Sequence, residues 1–319
     1  MLFNLARGSP DRPLQADVCV IGSGPVGLTL ARALAESGIQ VVMLEQGPEV
    51  PQVCQRTTEL RFDRSEYRGA DLGRAFGFGG TSSRWGGQLL PVRATEMLAR
   101  PQSGAPAWPI SFEEIRGRFS QIERWTGVDA LPFDLGYAEA VRHPLAGLDW
   151  EGIAPRFSKW IPFRRRNLGT AWRPAMAATG LVRCWINAGA HKWTREGSSD
   201  RVQRVTAAAA NGNHLTVEAG NFVLAAGALE TAWLALEMAE QSGLGDPRSM
   251  PLVGRYLHDH LSLRVARVEV LDRRGFMNFF SPSFSGDTMR SPRLELDPGL
   301  AEREAMPPLY AHFVAEAPE

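Results

Sequence analysis

The pattern of apolar residues and glycines is most regular in the first 45 residues. Asp17–Ile21 and Val41–Leu44 are short apolar runs of the kind that form buried parallel strands. Between them, apolar positions recur at helical spacing from Pro25 to Ser37, and Gly38 ends that helix. The pattern therefore predicts a strand, a glycine turn, a helix and a second strand.

The middle of the chain alternates between one clear element and stretches with little pattern. A helix is predicted to begin after Ser111, which forms a capping box with Glu114, and to end at Gly127. Residues 50–105 and 131–170 show little periodicity and are rich in residues that favour loops, so we expect irregular segments there.

The second half of the chain predicts mostly strands. The predicted strands are 181–187, 202–209, 214–218 and 221–226, with a helix at 229–238. An alternation of apolar residues then predicts an antiparallel strand with one solvated face, and it consists of Leu261, Leu263, Val265, Val268 and Val270. Leu309–Val314 predicts a further strand near the end of the sequence.

The turn after the first predicted strand carries a dinucleotide-binding pattern, G-x-G-x-x-G. Gly22 permits the tight turn, Gly24 lets the backbone approach a pyrophosphate, and Gly27 lets the helix and the strand pack closely. The pyrophosphate then lies at the N-terminus of the helix that begins at Pro25, where unpaired N–H groups favour an anion. A tight turn without a ligand is the alternative for a glycine pattern alone.

Glu45 supports the dinucleotide interpretation. It follows the second predicted strand, where a carboxylate can accept hydrogen bonds from a ribose 2′-hydroxyl. A carboxylate at this position also repels a 2′-phosphate, which argues against NADP. Strand, turn, helix, strand and acid thus occur in the order that such a site requires.

A second strand and turn favours FAD among the dinucleotides. The apolar run 222–225 ends in Ala226 and Gly227, and a helix follows. It is similar to the late strand of flavoproteins that returns to the sheet beside the pyrophosphate. A buried strand that ends in a helix cap is the alternative.

The loop from Gly79 to Gly87 resembles the flavin-side loop of the glucose–methanol–choline oxidoreductases, in particular their bacterial sugar-oxidising branch. Its glycines admit close backbone approach, and its hydroxyls and N–H groups can bind phosphate and ribityl oxygens. The candidate FAD contacts in this loop are Gly79, Gly80, Thr81, Ser82, Ser83, Trp85, Gly86 and Gly87. Residues 108–111, 222–231 and 253–260 resemble further motifs of the family in the right order, so the resemblance covers Asp17 to about His260.

The resemblance implies an α/β fold: a Rossmann-like FAD-binding domain with an incomplete antiparallel α+β substrate domain. The implied division is 1–105 and 178–262 for the FAD-binding domain, 106–177 for a substrate-side excursion, and 263–319 for a partial substrate domain. It also implies that main-chain atoms of Ala190 contact adenine. The implied reaction is oxidation of a CH–OH group of a small-molecule sugar or alcohol, with hydride passing to flavin N5.

Two departures from the family matter. A histidine that bonds the flavin in flavinylated pyranose oxidases is replaced here by Arg84, so we expect non-covalent FAD. The family's catalytic histidine and its partner lie in a C-terminal segment that has no counterpart up to Glu319, so no catalytic residue is identified. A continuation of the polypeptide or a second chain is expected to supply the base.

Other histidines and arginines suggest chemistry only weakly. His258 and His260 flank Asp259, but no further His or Cys lies nearby in sequence, so we expect no metal. His312 lies in the last predicted strand, and the arginines at 164–166 are more typical of a solvated surface than of an anion site.

Composition narrows the partners and the location. The formal net charge of the 319 residues is zero, which gives no electrostatic reason to expect nucleic acid or an anionic membrane. Three scattered cysteines fit a reducing cytoplasm, and neither a signal peptide nor a membrane helix is predicted. The substrate, the electron acceptor and the oligomeric state have no signature in the sequence.

Three interpretations therefore stand. The chain is part of an FAD-dependent sugar or alcohol oxidoreductase, or it is a non-catalytic FAD-binding or scaffolding subunit or a truncated remnant. An NAD enzyme is the third and weakest.

Overall fold

The computed structural model describes residues 1–53, 73–100, 104, 106–195, 197, 201–243, 250–255, 257, 262–304 and 306–314. The chain divides into two compact units. Unit 1 comprises residues 1–85 and 166–262, and unit 2 comprises residues 86–165 and 263–319.

Unit 1 contains a seven-stranded sheet. Its strands are β1 (Leu2–Asn4), β2 (Leu14–Ile21), β3 (Val41–Leu44), β8 (Val182–Ile186), β9 (Gly189–Thr194), β10 (Arg204–Ala208) and β11 (His214–Leu224). The order across the sheet is β1-β8-β3-β2-β11-β10-β9. The first five strands are parallel, and β11, β10 and β9 form an antiparallel meander. A short hairpin, β4 (Gln52–Val53) with β5 (Ala75–Phe76), lies outside this sheet.

Three helices accompany the unit 1 sheet: α1 (Pro25–Glu36), α4 (Leu168–Thr179) and α5 (Ala228–Ser242). α1 and α4 pack together, and α5 packs against the meander strand β9. Side chains on one face of β2 and β3, among them Cys19 and Val42, join meander residues such as Val205 in one buried cluster. The parallel strands are thus apolar on both faces because both faces are covered.

Unit 2 contains a five-stranded antiparallel sheet and four helices. Its strands are β6 (Gln88–Leu89), β7 (Ile153–Trp160), β12 (Ser283–Ser285), β13 (Thr288–Leu296) and β14 (Tyr310–Ala311). β13 pairs with β12, β7 and β14, and β7 also pairs with β6. Its helices are α2 (Phe112–Thr126), α3 (Leu135–Ala140), α6 (Arg273–Phe280) and α7 (Pro298–Arg303).

The fold class inferred from the sequence is confirmed: a Rossmann-like parallel sheet and a separate antiparallel sheet. Phe222 on β11 lies opposite Cys19 on β2 in parallel register, as the FAD-domain interpretation requires. The capping box is also confirmed, since Ser111 Oγ accepts from the backbone N–H of Glu114 and Gly127 ends α2 in the left-handed region.

Several predicted elements were wrong in detail. The strands predicted at 214–218 and 221–226 are one strand, β11, which pairs with β10 in its first half and with β2 in its second. Leu263, Val265, Val268 and Val270 are exposed and lie in no strand, and Leu261 lies outside the described residues. Apolar alternation forms a strand only where a neighbouring strand pairs with it.

The irregular segment predicted at 131–170 was also wrong, because it contains β7 and α3. β7 places charged residues on both of its faces, and buried ion pairs compensate them. The strand therefore lacks the apolar alternation that would have identified it.

The unit boundaries follow strand pairing and helix packing. They fall at 85/86, 165/166 and 262/263, whereas the sequence analysis places its divisions at 105/106, 177/178 and 262/263. Residues after 85 join unit 2 because β6 pairs with β7, and α4 joins unit 1 because it packs on α1. The assignment of these pieces to cofactor and substrate stays a prediction.

A charge network fills one side of the unit 2 sheet. Arg290 is fully buried and donates to Asp129, through Nε at 3.2 Å and through Nη2. Lys159, also fully buried, donates to Glu123 at 2.5 Å and to the backbone oxygen of Asp129 at 2.7 Å. Burial lowers the pKa of Lys159. Burial would raise the pKa of Asp129, but the hydrogen bonds and charge of Arg290 outweigh it and lower that pKa.

No helix in the part of the chain that the structure describes has the length and apolar character to cross a bilayer.

Candidate functional site

The glycine turn between β2 and α1 is built as the sequence predicts. Gly22 has φ +104°, and a Cβ there would lie 2.4 Å from the backbone oxygen of Ala225. A Cβ on Gly27 would lie 2.1 Å from the backbone oxygen of Gly22. Both glycines are therefore required for close packing of strand, turn and helix.

Gly24 differs from these two glycines because nothing lies within 4 Å of the position of its Cβ. It is the N-cap of α1, it has extended backbone, and no side chain caps the helix there. Pro25 occupies the first turn of the helix, where its missing N–H costs no hydrogen bond. The helix N-terminus thus opens onto space beside Gly24, which is the arrangement that an anion requires.

Glu45 lies at the carboxyl end of β3 and is 6% exposed. Its Oε2 accepts from the backbone N–H of Ser23 at 2.9 Å and from the Ser23 hydroxyl at 2.8 Å. Its Oε1 accepts from the backbone N–H groups of Gly47 at 2.9 Å and Gly77 at 3.0 Å. These four bonds fill the four lone-pair sites of a carboxylate.

Ser23 therefore controls whether Glu45 can take a further hydrogen bond. Three of the four donors are backbone N–H groups that the fold holds in place, whereas the Ser23 hydroxyl rotates. A second acceptor, the backbone oxygen of Gly77, lies 3.4 Å from Ser23 Oγ. If the hydroxyl turns to Gly77, one lone pair of Glu45 becomes available to a ribose hydroxyl.

The second strand-and-turn unit lies against the first. Ala225 donates its N–H to the backbone oxygen of Ile21 at 2.7 Å. Ala226 then donates to the hydroxyl of Thr231 at 3.1 Å, and Gly227, with φ +91°, is the N-cap of α5. Ala226 Cα lies 2.9 Å from the position of a Cβ on Gly22, so both turns meet at one end of the sheet.

Part of the loop from Gly79 to Gly87 joins this site. Gly80, with φ +51°, lies close to Gly24, because its Cβ would be 2.8 Å from Gly24 Cα. Gly79 donates its N–H to the backbone oxygen of Ser23 at 3.1 Å. These two glycines therefore lie beside the open space at the N-terminus of α1, and the adjacent Thr81 is exposed.

The other polar residues of this loop stabilise the loop itself. Ser82 is fully buried, and its hydroxyl donates to the backbone oxygen of Gly79 and accepts from the N–H of Leu168 at 3.1 Å. The Ser83 hydroxyl donates to the backbone oxygen of Gly80 at 2.8 Å, and Trp85 Nε1 donates to the backbone oxygen of Arg166 at 2.8 Å.

The remaining candidate residues fall into separate groups. Gly86 and Gly87 belong to unit 2, so they are not part of the cluster formed by the other loop glycines. Ala190 lies on β9, two residues after Ala188, whose N–H donates to the backbone oxygen of Glu45 at 2.8 Å. His258, Asp259 and His260 lie outside the described residues, and among the described residues no cluster of three His, Cys, Asp or Glu side chains has the arrangement of a metal site.

Sequence reasoning missed the residues that hold Glu45. Gly47 and Gly77 lie in backbone contact, since a Cβ on Gly47 would be 2.3 Å from Gly77 N. A glycine two residues after the acid was a usable signal, but the approach of Gly77 is a long-range contact. The ion pair between Arg74 and Glu230, which ties the segment before Gly77 to the first turn of α5, has no sequence signal either.

The site fits a flavin dinucleotide at its pyrophosphate end. The observation is the open space at Gly24 beside an uncapped helix N-terminus, with Gly80 on the far side. A side chain at either glycine would occupy this space or clash, which is the condition for backbone contact with a pyrophosphate.

Comparisons with known proteins define the class. A family model described as an FAD binding domain matches residues 15–55, which contain β2, the glycine turn, α1, β3 and Glu45. The match identifies the dinucleotide as FAD and not NAD. No curated protein sequence matches the chain.

Three solved structures illustrate the similarity in fold. A formate oxidase from Aspergillus oryzae RIB40 is 15% identical over 77% of this chain and 50% of its own, with a TM-score of 0.43. An L-amino acid deaminase from Proteus vulgaris is 16% identical over 72% and 51%, with a TM-score of 0.38. A 3-ketosteroid-Δ4-(5α)-dehydrogenase from Rhodococcus jostii RHA1 is 16% identical over 70% and 48%, with a TM-score of 0.41. The chain thus spans about half the length of these structures, and similarity at this level carries no argument about activity.

Proposed function

We propose that the chain is part of an FAD-dependent oxidoreductase of the glucose–methanol–choline type, which oxidises a CH–OH group of a sugar or alcohol. The observation that supports it most is the meeting of two strand-and-turn units and Gly80 around the open space at Gly24. The FAD family match over residues 15–55 supports the same cofactor. Cytoplasmic location and the small-molecule partner are further parts of the proposal.

In this proposal the residues of unit 1 bind and orient the cofactor. Backbone N–H groups at the start of α1 hold the pyrophosphate beside Gly24, where the helix dipole favours negative charge. Glu45 accepts a ribose hydroxyl after the Ser23 hydroxyl has turned to Gly77. Gly79 and Gly80 close the other side of the pyrophosphate.

FAD, when bound, supplies the hydride acceptor for the oxidation. The proposed base, which takes the hydroxyl proton of the substrate, lies in polypeptide outside these 319 residues, in the same chain or in a second one. The residues of this chain then contribute cofactor binding and part of the substrate wall. Arg84 is exposed and replaces the histidine of covalent relatives, so the proposed attachment is non-covalent.

Gly24→Leu tests the cofactor site. The leucine side chain fills the space beside the N-terminus of α1 without meeting protein atoms, so the chain should fold while FAD binding is lost. Gly117→Leu is the matched control, because nothing lies within 4 Å of its Cβ position either and it is on α2 of unit 2. Flavin absorbance and circular dichroism of both variants are the measurements. Retention of FAD by Gly24→Leu would place the pyrophosphate elsewhere.

Attachment and activity need separate experiments. Acid precipitation should release all the flavin to the supernatant, and flavin left in the pellet would contradict non-covalent attachment. Anaerobic mixing of the FAD-loaded chain with sugars and primary alcohols should bleach the flavin band slowly, because general-base catalysis contributes about 10²–10⁴-fold. Fast bleaching would place a base within these residues. No bleaching by any substrate, even with the remaining polypeptide added, would favour a non-catalytic FAD-binding subunit.

A further inference from the structure

The two faces of the unit 2 sheet differ in how their charges are compensated. In an antiparallel pair, directly opposed residues lie on the same face. Arg156 on β7 lies opposite Arg293 on β13, and Ala154 lies opposite Glu295, so these residues share one face, here called the arginine face. The opposite face carries Lys159 with Arg290, whose charges Glu123 and Asp129 compensate.

On the arginine face, two guanidinium groups share one carboxylate. Arg156 Nη1 donates to both oxygens of Glu295 at 3.2 Å, and Arg93 lies 2.8 Å from Glu295 Oε2. Arg156 also donates to the backbone oxygen of Pro91 at 2.7 Å. Arg156 and Glu295 are 5% and 6% exposed, so this compensation takes place in a largely dry environment.

Arg293 is the third guanidinium of the arginine face, and it is 9% exposed. Within the described part of the chain it has no acidic partner and no hydrogen-bond acceptor. Its guanidinium carbon lies 5.6 Å from the ring centroid of Tyr310 on β14, a cation–π contact. Burial lowers the pKa of Arg293, and its charge helps to lower the pKa of His312. An arginine stays protonated in a protein, so this buried charge requires an anion.

A cavity adjoins this charge. Its volume is about 450 Å³, and Arg93, Arg156, Glu295 and Tyr310 line it. The rest of the wall is mainly apolar, with Leu90, Pro91, Leu98, Leu296, Pro308 and Leu309, while the charges of Arg100, Glu96 and Glu302 lie around it. Tyr310 belongs both to this wall and to the contact with Arg293. A cavity of this size with an apolar wall and few polar groups is typical of small-molecule sites.

We propose that this cavity binds a small organic carboxylate, whose carbon chain contacts the apolar wall and whose carboxylate pairs with Arg293. A guanidinium matches a carboxylate in geometry as well as in charge, since two parallel N–H groups bind its two oxygens. An acidic segment from elsewhere in the polypeptide is the competing occupant. The site goes beyond the proposed oxidation, and its occupation does not depend on flavin.

Binding of hexanoate and hexan-1-ol to the 319-residue chain tests the proposal. At fixed ionic strength, isothermal titration calorimetry should show hexanoate binding about tenfold or more tightly than the alcohol, because a hydrogen bond to a charged group is lost in the alcohol. Arg293→Met keeps the volume and should abolish the preference. Arg164→Met is the matched control, since Arg164 is exposed and pairs with Asp287 on the surface, and it should retain the preference.

Three results would overturn the proposal: equal affinity for hexanoate and hexan-1-ol, an undiminished preference in Arg293→Met, or binding of inorganic phosphate without binding of hexanoate. Urea unfolding without ligand gives an independent check. Arg293→Met should unfold at an equal or higher urea concentration than the wild type, because it removes a buried charge that lacks a partner. A lower midpoint would mean that the chain itself supplies the partner, and would also overturn the proposal.

Discussion

Replacing Glu45 by glutamine tests whether this residue holds the site together before any cofactor binds. The carboxylate is 6% exposed and accepts four hydrogen bonds, from Ser23 twice, from Gly47 and from Gly77. Glutamine retains one oxygen, and its amide group replaces an oxygen that accepts two of the four. Whichever way the side chain turns, two donors lose their acceptor and the amide N–H groups face them.

The expected loss follows from these two bonds. A hydrogen bond to a charged group contributes about 1.5–3 kcal/mol, so two bonds give about 3–6 kcal/mol. The Ser23 hydroxyl can turn to the backbone oxygen of Gly77, which favours the lower end. We expect Glu45→Gln to lower the free energy of unfolding by about 3 kcal/mol in the absence of FAD.

Urea unfolding of the FAD-free chain, followed by tryptophan fluorescence, measures this loss. Glu49→Gln is the control, because Glu49 pairs with Arg173 at 2.6 Å on the surface and exposed pairs contribute less than about 1 kcal/mol. A loss below about 1 kcal/mol in Glu45→Gln, with an unchanged urea dependence, would refute the structural role. Glu45 would then act on the cofactor alone.

Three further predictions concern other residues. Ser23→Ala should bind FAD no more weakly than the wild type, because it frees a lone pair of Glu45, and a tenfold rise in the dissociation constant in a flavin titration would contradict this. Asp129→Asn should lower the free energy of unfolding by about 3–5 kcal/mol, since it leaves Arg290 buried without its ion-pair partner, and thermal unfolding measures the loss. The pKa of Asp129 is lower in the folded chain than in the unfolded one, so the wild type should lose stability as the pH falls below about 4, and Asp129→Asn should show less of this acid dependence. The Cys19 thiol is buried, which raises its pKa, so iodoacetamide at pH 8.5 should alkylate it only after unfolding, as mass spectrometry can determine.

Local sequence determined the elements whose cause lies within a few residues. The glycine turn at 22–27 and the capping box of α2 were predicted together with their caps, because the backbone geometry of a turn or a helix end depends on adjacent residues. The motif order also predicted that β11 returns beside β2, and the parallel register confirms it.

Only the tertiary structure decided what long-range contacts control. Glu45 was predicted to bind ribose, yet its carboxylate is held by Ser23 and by Gly77, which lies 32 positions away and carries no signal next to the acid. β7 was not predicted, because its charged residues are compensated by partners on β13 and α2 that are far away in sequence. The lack of a partner for Arg293 is likewise a property of the folded sheet, since pairing of β7 with β13 brings three guanidinium groups to one carboxylate. A sequence pattern records which residues can be buried, and the burial of a charge is decided by what the rest of the chain places around it.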